Sequence, residues 1–145
     1  MSKINIYFEA IKPVKFKKNA VKNWVSYLVK NEQRKTGIIN IVLCSDEYLL
    51  EMNKKYLQHD YYTDIITFDY VEGEVISGDL FISVDRVKEN ADNFKNLFLN
   101  ELMRVIFHGV LHLVGFKDKT EEEQAKMREK ENFYLSVVDI SEMEL

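Results

Sequence analysis

Two histidines four residues apart, His108 and His112, lie in the most apolar stretch of this 145-residue chain. Residues at i and i+4 share one face of an α-helix, so both imidazoles can reach a single ion. Gly115 follows where such a helix would stop, and Asp118 stands three residues beyond it, within reach of a chain that turns back. Two histidines and a carboxylate hold zinc with one position left open for water, as a catalytic site requires. His108, His112 and Asp118 are therefore the expected metal ligands and catalytic residues, with one Zn2+ per chain and hydrolysis as the expected chemistry. The helical two-histidine pattern of metalloproteases places a glutamate after the first histidine as general base. Gly109 occupies that position here, which argues against peptide hydrolysis by that route.

Such a motif needs a scaffold. From about residue 97 to 114 the chain is apolar on most sides (Leu99, Leu102, Met103, Val105, Ile106, Phe107, Val110, Leu111, Leu113), which predicts a central, buried helix. Alternation or β-branched runs predict strands at 3–8, 38–43, 64–70 and 79–83, with a turn at Glu72-Gly73-Glu74 between the last two. Helical spacing predicts further helices near 17–30 (Ala20, Val21, Trp24, Leu28 inward) and 84–93. Another starts at Ser45-Asp46 as N-cap and runs to Tyr56 or Leu57, with Leu49, Leu50 and Met52 available to the core. The last, near 121–135, has Met127, Phe133 and Leu135 as its inward residues, and residues 141–145 read as a short acidic tail. The expected fold is α+β: one domain over residues 1–145, with a small four-stranded sheet, surrounding helices and a central buried metal-binding helix.

Composition narrows the class. An apolar fraction of 46% and a charged fraction of 30% are ordinary for a globular protein. No apolar run reaches membrane-spanning length, and the first residues lack a signal-peptide pattern, so a cytoplasmic protein with no membrane partner is expected. The single cysteine, Cys44, excludes internal disulfides and multi-cysteine metal sites and reads as a small buried hydrophobe. Net charge is −4, but residues 1–37 hold nine lysines and arginines against two acids. That basic third could contact phosphates or form a solvated helix face.

Four segments in order resemble one family. His108-Gly109-x-Leu111-His112-Leu113-x-Gly115 resembles the signature of the YbeY-type family, bacterial metal-dependent endoribonucleases of ribosomal RNA maturation. Asn53-x-x-Tyr56 with Thr63-Asp64-Ile65-Ile66-Thr67-Phe68, then Gly78-Asp79-Leu80-Phe81-Ile82-Ser83, then Glu123, Met127 and Glu131 resemble further family segments. The resemblance implies a single-strand-specific endoribonuclease acting in maturation of the small-subunit rRNA 3′ end and in ribosome quality control. Its implied cofactor is zinc, or another divalent ion, and its implied partners are single-stranded ribosomal RNA and the small ribosomal subunit. A metallopeptidase or amidohydrolase, and a non-catalytic ribosome assembly factor with a structural metal, are the alternatives. Two positions depart from the pattern. Asp118 stands where the family has a third histidine, and Leu57 where it has an arginine associated with RNA. The role of that arginine is then either absent or supplied from elsewhere, with Lys54, Lys55 and His59 as nearby candidates. His59 is also a candidate fourth ligand or proton donor, Tyr61 and Tyr62 are candidate base-stacking residues, and Asp64 and Asp79 candidate orienting groups or strand caps.

Overall fold

The computed structural model describes residues 3–145; Met1 and Ser2, part of the N-terminus compared with a signal peptide, lie outside the described residues. The elements run β1 (Ile4–Glu9), α1 (Lys18–Asn31), β2 (Lys35–Cys44), α2 (Asp46–Leu57), β3 (Ile65–Asp69), β4 (Val75–Ser83), α3 (Val84–Asn93), α4 (Phe98–Val114) and α5 (Glu121–Val137). A 3-10 turn, Ile140–Met143, ends the chain. The four strands form one mixed sheet in the order β1-β2-β4-β3. β1, β2 and β4 are parallel, whereas β3 runs antiparallel to β4. The fold is α+β, as expected, and every expected helix and strand is present, β2 and β4 extending further toward their N-termini than the apolar runs alone implied.

Alternation along the strands sets two faces. Ile39, Ile41 and Leu43 of β2 and Ile76, Leu80 and Ile82 of β4 are fully buried against the helical layer. α4 lies in that layer, with Leu102, Met103, Phe107, Val110 and Leu111 fully buried. It sits unusually close to the sheet because glycines face the contact from both sides. A Cβ on Gly109 would come within 2.8 Å of Ile65 and 2.9 Å of Leu80, and one on Gly78 within 2.8 Å of Leu113 of α4 and 2.6 Å of the Phe68 carbonyl of β3. On the opposite face α2 covers only part of the sheet, closing a smaller cluster of Cys44, Leu49 and Ile66. Ser45 caps α2 as predicted, its hydroxyl accepting from the Tyr48 N–H at 3.1 Å.

Three readings of detail are corrected. Phe133 is exposed, and the buried residues of α5 are Met127, Glu131 and Tyr134, whose spacing of four and three keeps one face inward. The acidic tail is not free: Met143 is fully buried in the main core, and its carbonyl accepts from the Lys17 N–H at 2.7 Å. Asp79 is not at a strand end. It sits mid-strand on the face away from α4, where its carboxylate accepts from Asn40 Nδ2 at 3.0 Å. Among the described residues no single helix is long and apolar enough to cross a membrane.

Candidate metal centre

α4 presents both histidines on its one face that is not sealed by the core. Their side chains are about a quarter exposed, 25% for His108 and 27% for His112. The helix ends at Gly115, whose φ of 124° is outside the range that L side chains readily adopt. The N–H groups of Gly115 and Phe116 both return to the Leu111 carbonyl, so the chain reverses sharply. Four residues later the next helix is fixed by a capping box, in which Thr120 Oγ1 accepts from the Glu123 N–H and Glu123 Oε1 accepts from the Thr120 N–H, each at 3.0 Å. The short segment between these two caps carries Asp118 back over the histidines.

The three side chains named from spacing converge. His108 Nε2 lies 3.0 Å from His112 Nε2, and Asp118 Oδ2 lies 3.3 Å from the first and 3.2 Å from the second. The outer ring atoms fix the tautomers. His112 Nδ1 lies 2.9 Å from the Phe116 carbonyl, which can only accept, so Nδ1 carries the proton and Nε2 a bare lone pair. His108 Nδ1 donates to Glu131 Oε2 at 2.7 Å, which leaves its Nε2 bare in the neutral ring. With both rings neutral, two nitrogen lone pairs and a carboxylate oxygen thus face one another, at a separation that a proton on His108 Nε2 or a metal cation among them would relieve. Donors about 2.0–2.1 Å from a tetrahedral zinc are about 3.3 Å apart, and the observed spacing fits that set.

The surroundings favour positive charge. Burial pulls the His108 imidazolium down, but its hydrogen bond to Glu131 and the charges of Glu131, Asp118 and Asp64 together raise it above the usual histidine range. Burial also raises the carboxyls of Asp64 and Glu101, the first eased by His108 and the second by Arg104. Glu131, only 8% exposed, uses its other oxygen to accept from Arg104 Nη1 at 3.3 Å. Carboxylate–histidine pairs of this kind hold metal-ligating rings in register. The pairing of His108 with Glu131 was not read from the sequence. Its signal was an acid four residues after Met127, on the inward face of an amphipathic helix.

A cleft of about 450 Å³ opens over the cluster, between α4 and β3, with Thr63, Asp64, Thr67 and Asp69 along one wall. Leu57 lines it where the family arginine was expected, and no lysine or arginine does. Asp64 therefore belongs to the site and Asp79 does not. His59 is exposed, stacked on Tyr61 at 5.0 Å between ring centroids, and outside the cluster. Lys54 is engaged with Glu51 and Asp60, and Tyr62 donates to Glu47. Buried Asn53 anchors the loop before β3, its Nδ2 donating to the Tyr61 carbonyl at 2.9 Å.

Fold and site together define an α+β protein of mixed sheet with a cluster of two histidines and one carboxylate that could hold a metal ion. Residues 6–139 match the family model described as endoribonuclease YbeY, and the chain belongs to that family. It is similar to the endoribonuclease YbeY of Parabacteroides distasonis, 50% identical over 135 residues that cover 93% of this chain and 95% of that one. The corresponding protein of Phocaeicola vulgatus is 45% identical over 137 residues, covering 94% and 99%. A solution structure of a Thermotoga maritima protein superposes with a TM-score of 0.66 at 29% identity, covering 92% of this chain and 87% of that one.

Proposed function

We propose that the chain is a metal-dependent endoribonuclease that cuts single-stranded RNA, with His108, His112 and Asp118 holding one zinc ion and forming the catalytic centre. Hydrolysis of RNA phosphodiester bonds follows from membership of the family. The metal reading is carried by the three bare donor atoms, 3.0–3.3 Å apart, whose tautomers are fixed from outside. Zinc suits two imidazoles and a carboxylate; the harder oxygen of Asp118, in place of a third imidazole, widens the choice toward other divalent ions. Bound there, the ion would supply Lewis acidity to a phosphodiester oxygen and lower the pKa of water.

The chain's own residues supply the rest. Glu131 and the Phe116 carbonyl hold the two rings with Nε2 toward the cleft. Thr63 and Thr67 offer hydroxyls along the wall where a phosphate would lie. Asp64 lines the same wall, with burial holding its carboxyl above the ordinary range. The peptidase alternative loses support at Gly109: its missing Cβ points to Ile65 and Leu80, so a glutamate there would face the sheet rather than the cleft.

On the sequence resemblance the RNA is ribosomal. The reading extends to maturation of the small-subunit rRNA 3′ end and to ribosome quality control in the cytoplasm, with the small ribosomal subunit as partner and residues 1–145 acting as one domain. Metal-loaded protein should cleave single-stranded RNA and leave both duplex RNA and a peptide library intact. Peptide cleavage without RNA cleavage would overturn the reading.

A further inference from the structure

The catalytic cleft poses a problem for a polyanionic substrate, because its lining holds Asp64, Asp69 and Asp118 but no lysine or arginine. The cations that hold an RNA backbone must lie elsewhere on the chain. One groove collects them. It measures about 660 Å³, runs along α1 beside the starts of β1 and β2, and is lined by Lys3, Lys22, Lys30, Arg34 and Lys35. No acid lines it, and among the described residues none of these five makes an ion pair. In a chain of net charge −4 that is a marked segregation. Thr36 lines the same groove, and its Oγ1 is the buried side-chain polar atom left without a hydrogen-bond partner among the described residues.

We propose that this groove is a second RNA-binding site, which grips the phosphate backbone of a single-stranded segment away from the scissile bond. The inference rests on the RNA reading above and deepens it. The groove lies at the β1 edge and the cleft over β3 at the other edge, three strand spacings or about 14 Å across the sheet and, counted on β2 from Thr36 to the level of Asp69, at least three residues or about 10 Å further along the strands. A second groove of about 940 Å³ continues around α1, sharing Asn19, Lys22 and Asn23 and adding Lys17 and Lys18. Glu142 is its one acidic lining residue; half-buried Trp24 and exposed Tyr27, edge-to-face at 5.4 Å, also line it, and rings of this kind accept stacked bases whatever the sequence. Unpaired cations beside aromatic rings match single-stranded nucleic acid better than they match a phosphate group alone. The cleft then positions and cuts, while the α1 face supplies most of the salt-dependent affinity.

The test is fluorescence-anisotropy titration of full-length protein with a single-stranded RNA of about 20 nucleotides, long enough to span both sites. EDTA is present to prevent cutting, and the titration is repeated across a range of salt concentrations. Lys22→Gln/Lys30→Gln/Arg34→Gln is compared with a charge-matched control on exposed residues elsewhere, Lys88→Gln/Lys95→Gln/Lys126→Gln. Circular dichroism confirms that both are folded. Three lost phosphate contacts lower the slope of log affinity against log salt by about 2, which weakens Kd about 100-fold at 0.1 M if binding at 1 M is unchanged. The control variant keeps the wild-type slope. Equal slopes for the wild type and the α1 variant, or equal losses in both variants, overturn the groove. A wild type that binds the long RNA but cleaves no RNA when metal-loaded refutes the nuclease reading and leaves the groove standing. A wild type that cleaves RNA yet shows no salt-dependent binding does the reverse.

Discussion

Replacing Glu131 with glutamine separates the metal account from a merely structural role for the histidines. Glu131 is shared: Oε2 accepts from His108 Nδ1 at 2.7 Å and Oε1 from Arg104 Nη1 at 3.3 Å. A glutamine has one acceptor oxygen, so either His108 or Arg104 comes to face an NH2 group. If the oxygen stays with His108, a charge-assisted bond worth about 1.5–3 kcal/mol becomes a neutral one worth about 0.5–1.5 kcal/mol. The difference, about 1–1.5 kcal/mol, corresponds to roughly tenfold weaker metal binding. If the amide turns the other way the ring loses its anchor, and the loss approaches the 100-fold limit of about 10–100-fold seen for such partners. Competition against a fluorescent zinc chelator at neutral pH measures this directly. Asn132→Ala serves as control, since Asn132 Oδ1 also accepts from Arg104 at 3.3 Å without touching His108. Wild-type affinity in Glu131→Gln would refute the reasoning.

Three further outcomes are expected. Gly78→Ala sets a Cβ 2.6 Å from the Phe68 carbonyl oxygen, backbone that cannot step aside, and should cost about 2–3 kcal/mol. That corresponds to about 5–10 °C in Tm, and a drop under 2 °C would show that β3 can give way beside Gly78. The Cys44 thiol, fully buried, is pushed up to about 12 by burial and then by Asp85, Asp46 and Glu9, so iodoacetamide should label native protein only as fast as it unfolds. Rapid labelling followed by mass spectrometry would contradict that burial. In metal-free protein the raised His108 contributes stability that is present below the unfolded-state value of about 6.5 and lost as pH rises through its folded value. The melting temperature in EDTA should therefore fall as pH rises above about 6.5, and His108→Gln should flatten the trend; with metal present protons compete for the same rings and the trend reverses. A parallel pH trend with and without metal would count against the site.

Much of the site could be read from local chemistry. Helical spacing aligned His108 with His112, a glycine stop announced the reversal, and the loop was too short for Asp118 to travel far. Thr120-x-x-Glu123 also spells out the cap that closes this loop, a signal left unread in the sequence, where only Glu123 enters, through the resemblance. What stayed hidden depends on contacts distant in sequence. Glu131 reaches His108 across 23 residues, and only the packing of α5 against α4 reveals it. The order β1-β2-β4-β3 and the reversed β3 depend on which strand pairs with which, information that alternation does not contain. Phe133 and Tyr134 are adjacent aromatics, and the choice of which points inward needed the helix phase set by Met127. Leu57 stands in place of an arginine, and among the described residues no lysine or arginine lines the cleft.

The central claim is that His108, His112 and Asp118 hold one ion without which RNA is not cut. Metal content by inductively coupled plasma mass spectrometry, with cleavage of a single-stranded RNA followed on the same samples, tests it in wild type and His112→Ala. The account predicts about one divalent ion per wild-type chain and RNA cleavage, with both lost in a folded His112→Ala. Cleavage that persists in wild type stripped of metal, or in His112→Ala, would contradict it.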